Sequence, residues 1–132
     1  MNITGAIKSS YTTPPATVDD NGALFSVVVS NIGGSVISNN AVLTIKTAPT
    51  ITTQPASQTI KVGKTAKFSV TAAGTAPFTY QWRKNGMNIT GAAKASYVTP
   101  PVTTADNGSR FSVVVSNSVG NATSNDAVLT VQ

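Results

Sequence analysis

The chain has 132 residues, a formal net charge of +5 and only 10% charged side chains. It contains no Cys, His or Glu. This excludes a disulfide framework, a zinc cluster, a thiol nucleophile and most groups that carry general acid–base chemistry.

In chain order, the first feature is half of a repeat. Met1-Asn2-Ile3-Thr4-Gly5-Ala6 recurs as Met87-Asn88-Ile89-Thr90-Gly91-Ala92. Phe25-Ser26-Val27-Val28-Val29-Ser30-Asn31 recurs as Phe111-Ser112-Val113-Val114-Val115-Ser116-Asn117, and Ala41-Val42-Leu43-Thr44 as Ala127-Val128-Leu129-Thr130. The offset is 86 throughout, and about 30 of 46 aligned positions are identical, far above chance for so long a period. The organisation expected is therefore an incomplete half repeat over 1–46, a linker over 47–50 stiffened by Pro49, and a complete repeat over 51–132.

The complete repeat divides into short strands between turn residues, with no helical period. Ile51 to Gln54 forms a first strand, interrupted at Pro55 and resumed from Ser57 to Val62. Ala66 to Ala72 and Phe78 to Lys84 alternate inward and outward. Asn85-Gly86 marks a hairpin. Ser96 to Thr99 is short, Asp106-Asn107-Gly108 is a corner, and Arg110 to Asn117 is a long strand. Val119-Gly120-Asn121 turns into a last strand from Asn125 to Val131. Seven or so short strands in this length predict an antiparallel sandwich. Period-2 alternation points Phe68, Val70, Tyr80, Trp82, Tyr97, Phe111, Val113, Val115, Ala127, Leu129 and Val131 inward. The half-repeat equivalents are Tyr11, Phe25, Val27, Val29, Ala41, Leu43 and Ile45.

These residues resemble the intermediate-set immunoglobulin-like domains, in the cysteine-free tandem form of bacterial surface proteins. Trp82 lies twelve residues after Val70, as the strand-C tryptophan follows the strand-B cysteine. Tyr97-x-Thr99-x-x-Val102-x-x-x-Asp106 resembles the run from strand E to the corner. Asp106-Asn107-Gly108 with Phe111 and Val113 resembles the strand-F motif. Asn117 and Gly120 are similar to the F–G turn, and Ala127 to Val131 to strand G. The resemblance implies an all-β, immunoglobulin-like antiparallel β-sandwich, one complete domain preceded by half of an identical repeat. The sequence departs from the family pattern at Val70 and Val113, where the disulfide cysteines stand. It departs again at Phe111, which replaces the corner tyrosine, and by one extra residue between Asp106 and Phe111.

Each chemical reading has a structural competitor. Asp19-Asp20-Asn21-Gly22 and Asp106-Asn107-Gly108 contain too few acids for a calcium loop and read as corners, with Asp106 and Gly108 the key residues. Trp82 reads as core rather than as a sugar platform. Sequons at Asn2, Asn88, Asn107 and Asn121 fit surface loops. A Lys–Asn cross-link needs a buried acid, and no acid falls at an inward position of the core strands. Ser, Lys and Tyr lack a partner base, so no enzyme activity, metal or other cofactor is expected. The dispersed basic residues, the tightest being Lys61, Lys64 and Lys67, do not form a nucleic-acid patch. No run reaches the ~18 apolar residues that cross a membrane.

The resemblance implies a structural spacer, fibre or adhesion-stalk module of an extracellular or cell-surface bacterial protein, its export signal outside this chain. The alternative is a carbohydrate- or surface-partner-binding module, phage-particle decoration included. It would use end loops around Phe78, Asn85, Asn88 and Asn121, with cell-surface polysaccharide as a partner. The half repeat lacks its first strands and its tryptophan. Its missing strands are expected from neighbouring upstream repeats of a longer parent or from another copy of the chain; otherwise it is loosely ordered.

Overall fold

Val, Thr and aromatic residues punctuated by Gly, Pro and Asn favour short extended segments. The computed structural model describes residues 1–132 and holds fourteen strands with two 3-10 turns. After a 3-10 turn at Val18–Asp20 come β1 (Leu24–Phe25), β2 (Val28–Asn31), β3 (Gly34–Ile37) and β4 (Ala41–Val42). Next are β5 (Thr50–Thr53), β6 (Gln58–Ile60), β7 (Lys67–Ser69), β8 (Thr71–Ala73), β9 (Thr79–Lys84) and β10 (Met87–Asn88). The chain ends with β11 (Ser96–Val98), a 3-10 turn at Thr104–Asp106, β12 (Ser109–Ser116), β13 (Asn121–Thr123) and β14 (Ala127–Val131). They fall into two units, Met1–Ile45 and Lys46–Gln132.

The second unit is an all-β, immunoglobulin-like sandwich. One layer has the order β10-β9-β12-β14-β6, with β13 also on β12. In the other, β7 and β8 continue one another through Val70, whose N–H turns aside to the Ala95 carbonyl. β5 pairs with β8 and β11 with β7. Pro55 separates β5 from β6, so the first strand leaves one layer and joins the other, where β6 runs parallel to β14. A residue without an N–H suits that crossing.

The core lies between the layers. Trp82, Val113, Val115, Ala127 and Leu129 are fully buried, with Phe68 and Phe111 nearly so. The Phe68 and Phe111 rings stack at 4.6 Å between centroids, and Trp82 lies 6.5 Å from both Phe68 and Tyr97. The Trp82 indole N–H donates to the Lys94 carbonyl at 2.8 Å, which satisfies the one polar atom of the largest core side chain. Ala66, Ala92 and Val102 complete the core. Ser124 interrupts the last strand because its N–H donates to the Val113 carbonyl while its Oγ accepts from the Val113 N–H. The segment from Asn121 onward is therefore paired as β13 before β14 begins, earlier than the expected start at Asn125.

Thr47 to Thr50 falls in the second unit: the Thr47 N–H donates to Thr75 Oγ1 at 2.9 Å, and Asn117 Nδ2 donates to the Thr47 carbonyl at 2.7 Å. Pro49 is buried and Thr50 opens β5. The side chain of Asn117, seventy residues away, pins this stretch, which no local pattern foreshadows.

In the first unit each element stands 86 residues before a counterpart: the 3-10 turn, β1 and β2 before β12, β3 before β13, and β4 before β14. β1 pairs with β4, and β2 with β3. Where β12 is continuous, the same sequence here forms two short strands. β12 pairs with β9 along six residues, and β1 and β2 have no such partner. No residue of Met1–Ile45 is fully buried.

Candidate functional site

Three places hold the chemistry that the chain offers. The first is the corner before β12. Thr103 and Asp106 close a capping box around the 3-10 turn, with the Thr103 N–H donating to Asp106 Oδ2 at 2.8 Å. The end of β9 brings Lys84 Nζ to 2.6 Å from Asp106 Oδ1. The hydrogen bond from Lys84, then that from the Thr103 backbone, holds the Asp106 carboxyl below its ordinary range. Gly108 takes φ +83, open to glycine without strain, and its N–H donates to the Leu129 carbonyl. Asn107 Oδ1 accepts from the Val131 N–H at 2.9 Å. A small cavity of about 100 Å³ lies behind the pair, against Tyr97, Pro101, Phe111 and Leu129. Asp106 is fully committed to Lys84 and Thr103, and no three acidic side chains gather anywhere. The corner is a structural clasp, and no catalysis is evident.

The second place is the pair of sandwich ends. The register sets Thr79 opposite Ser116 and Lys84 opposite Phe111. Phe78 and Asn121 therefore lie at one end, and Asn85 and Asn88 at the other, separated by the length of β9, about 17 Å at ~3.3 Å per residue. The four end-loop residues thus divide between the two ends of the sandwich. Phe78 is half-buried against the core. Asn85 Oδ1 accepts from the Arg110 N–H, and Asn88 Oδ1 from Arg83 Nε, both at 2.9 Å. Asn121 is exposed.

The core residues expected from alternation occupy graded positions. Phe68, Val70, Trp82, Phe111, Val113 and Leu129 are buried, while Tyr80 and Tyr97 are half-buried at its margin. Sequence reasoning missed Ala66, Ala92 and the Lys84–Asp106 pair. The sequence carried a signal for one half of the pair only, the Thr-x-x-Asp capping box that holds Asp106.

The third place is in the first unit. A cleft of about 460 Å³ is lined by Ile3, Tyr11, Phe25, Val27 and Leu43 among others. Tyr11 and Phe25 stack at 6.2 Å between centroids, and their counterparts Tyr97 and Phe111 at 6.1 Å.

A two-layer sandwich with a buried tryptophan between facing strands, a capped corner and a parallel first-to-last strand pair defines the immunoglobulin class. The profile of the immunoglobulin domain family matches residues 48–118, and the chain belongs to that family. No curated protein sequence matches it. Among solved structures, it is similar to a three-domain structure of titin I67–I69 carrying an E-to-A mutation. The TM-score there is 0.69 at 23% identity, covering 89% of this chain and 43% of that one. A chimeric titin Z1Z2 functionalized with a KLER peptide from decorin gives a TM-score of 0.57 at 30% identity, covering 67% and 97%. Sidekick-1 immunoglobulin domains 1–5 give 0.61 at 21% identity, covering 82% and 24%. The chain spans a third of the titin I-band fragment I67–I69 that it also resembles. No helix is long and apolar enough to cross a membrane.

Proposed function

We propose that the chain is a spacer module of an extracellular bacterial repeat protein, acting mechanically and not catalytically. The observation that carries this reading is the recurrence of the same elements 86 residues apart, in sequence and in position. Duplication of a whole sandwich changes the length of a protein without adding chemistry. On this reading, residues 1–46 are the closing half of one repeat and the second unit is the next repeat. Thr47 to Thr50 then fixes the start of a repeat rather than hinging between two.

The pinned first segment and the corner, where Asn107 and Gly108 bond the last strand, support a mechanical role, since they tie the first and last segments of the second unit onto the sandwich. The aromatic residues of the second unit support it by their burial: Trp82 is inaccessible, and Phe78 and Tyr80 are half-buried, so none of these three offers an open face to a sugar ring. Single-molecule pulling tests the reading together with a polysaccharide-binding screen. The expected result is one cooperative unfolding event for Lys46–Gln132 and no saturable binding. Saturable polysaccharide binding that is lost on substituting an end loop overturns it.

A further inference from the structure

We propose that the Asn85-Gly86 turn is a site of slow self-modification. The Gly86 main-chain nitrogen closes on the Asn85 carboxamide, and the ring so formed opens to aspartate or isoaspartate at position 85. This does not rest on the spacer role; it follows from comparing the three Asn-Gly pairs of the chain.

The pairs are Asn21-Gly22, Asn85-Gly86 and Asn107-Gly108. All three are exposed, and their glycines share a positive φ of +84, +83 and +83. Sequence and exposure therefore do not tell them apart. Their hydrogen bonds do. The Gly108 N–H donates to the Leu129 carbonyl at 2.7 Å, and the Gly22 N–H to the Leu43 carbonyl at 2.8 Å. Asn107 Oδ1 accepts from the Val131 N–H and Asn21 Oδ1 from the Ile45 N–H, both at 2.9 Å. In these two pairs the attacking nitrogen and the carboxamide are both tied to the closing segment of their unit. At Asn85 the carboxamide is held in the same way, its Oδ1 accepting from the Arg110 N–H at 2.9 Å, but the Gly86 N–H donates to no protein group. The turn explains the difference. Asn85 and Gly86 both take positive φ, +50 and +83, in a two-residue hairpin loop. The flanking pair Lys84–Met87 closes the ladder outside that loop, and the Gly86 amide is left over.

The chemistry balances with water as the only reagent consumed. Hydroxide removes the Gly86 amide proton. The nitrogen forms a bond to Asn85 Cγ, and the bond from Cγ to Nδ2 breaks, with Nδ2 taking up a proton and leaving as ammonia. Water then opens the cyclic imide. Cleavage of the new bond gives aspartate, and cleavage of the original peptide bond gives isoaspartate. Either way one amino group is exchanged for one hydroxyl. The Arg110 N–H already bonded to Oδ1 donates to the oxygen on which negative charge develops as Gly86 attacks. Arg83, Lys84 and Arg110 lie beside the turn in sequence or register, and positive charge favours loss of the amide proton. The space around Gly86 is open.

The two products act differently on the fold. Aspartate keeps an acceptor for the Arg110 N–H and adds a negative charge next to Lys84. Isoaspartate adds a main-chain carbon to a two-residue loop, which spoils the match of Met87–Asn88 with Lys84–Arg83. Modification thus ages the end of the sandwich that carries the Lys84–Asp106 clasp.

The test incubates the folded full-length chain in mildly alkaline water enriched in oxygen-18. Asn85 and Asn107 fall in separate tryptic peptides, so conversion at each is read by mass, and isoaspartate by its separate elution. Asn85 should convert at least about tenfold faster than Asn107, the factor in rate that one hydrogen bond to be released represents. In urea, where no fold holds either glycine, the advantage should vanish. Conversion of Asn107 as fast as Asn85 in the folded chain, no oxygen-18 at position 85, or an advantage of Asn85 that persists in urea overturns the proposal.

Discussion

Val27 and Val113 hold the same place in two copies of one segment, yet Val113 is fully buried opposite Trp82 and Val27 keeps 47% of its surface exposed. Local sequence is identical around both, so the difference comes from tertiary contact alone. Val113→Ala removes two buried methyl groups beneath a tryptophan and should cost about 2 kcal/mol of unfolding free energy. Val27→Ala should change stability by less than about 0.5 kcal/mol. Urea denaturation of the two variants, followed by far-ultraviolet circular dichroism of the whole chain, compares them directly. Equal losses would show that Val27 is buried in solution.

The Lys84–Asp106 clasp makes a pH prediction. The folded-state carboxyl of Asp106 is lowered, first by the Lys84 hydrogen bond and then by the Thr103 N–H. In the unfolded chain an aspartate titrates near about 3.9. A carboxylate depressed on folding stabilises the native state above that value and loses the contribution as pH falls through the folded one. Both partners are partly exposed, at 40% and 23%, so solvent limits the ion pair to less than about 1 kcal/mol. Asp106→Asn keeps an acceptor for Thr103 and loses the charge. It should cost less than about 1 kcal/mol at neutral pH, and the cost should shrink as pH falls below about 3.9 and through the lower folded-state value. Urea midpoints of variant and parent should draw together as pH is lowered through that range.

Gly74 is required by its neighbours. It adopts φ +128, and a Cβ there would stand 2.8 Å from the Ala48 carbonyl oxygen. Both the backbone and the close approach exclude a side chain. Gly74→Ala should destabilise the second unit by about 2 kcal/mol or more and loosen the segment that Asn117 pins. Hydrogen exchange at Thr47, whose N–H donates to Thr75 Oγ1, reads the loosening separately from global unfolding. Unchanged protection at Thr47 would mean that the segment is held without Gly74.

What the sequence revealed, and what it hid, divides by range. Phe68, Trp82, Phe111 and Leu129 were legible because period-2 alternation and the Val70-to-Trp82 spacing are local properties. Ala66 lies on the same alternation as Phe68 and Val70 and was passed over as a small residue at the strand's start; Ala92 and Val102 sit in loops, where no period applies, and their burial depends on what folds over them. The Lys84–Asp106 clasp and the Asn117–Thr47 bond join residues 22 and 70 apart, across turns whose direction no local pattern fixes. The four end-loop residues were grouped by being loops, and only the strand register parts Phe78 and Asn121 from Asn85 and Asn88. Val27 and Val113 mark the limit of local reading, since one pattern gave two fates.

The pair Val70 and Val113 allows the absent cross-link to be restored. Both are buried in the same core, one between β7 and β8 in one layer and the other in β12 of the facing layer. Related sandwiches carry cysteines at the matching positions, and the two valines fill that volume by packing instead. Val70→Cys with Val113→Cys should oxidise to an intramolecular disulfide closing a 43-residue loop. Loop-closure entropy sets the gain at about 4 kcal/mol, less any strain. Thiol titration and a rise in the urea midpoint, reversed by reductant, check the outcome. If both thiols stay free under oxidising conditions, the two positions do not face one another. If the bond forms without stabilising, the valine packing it replaces already contributes as much as the cross-link.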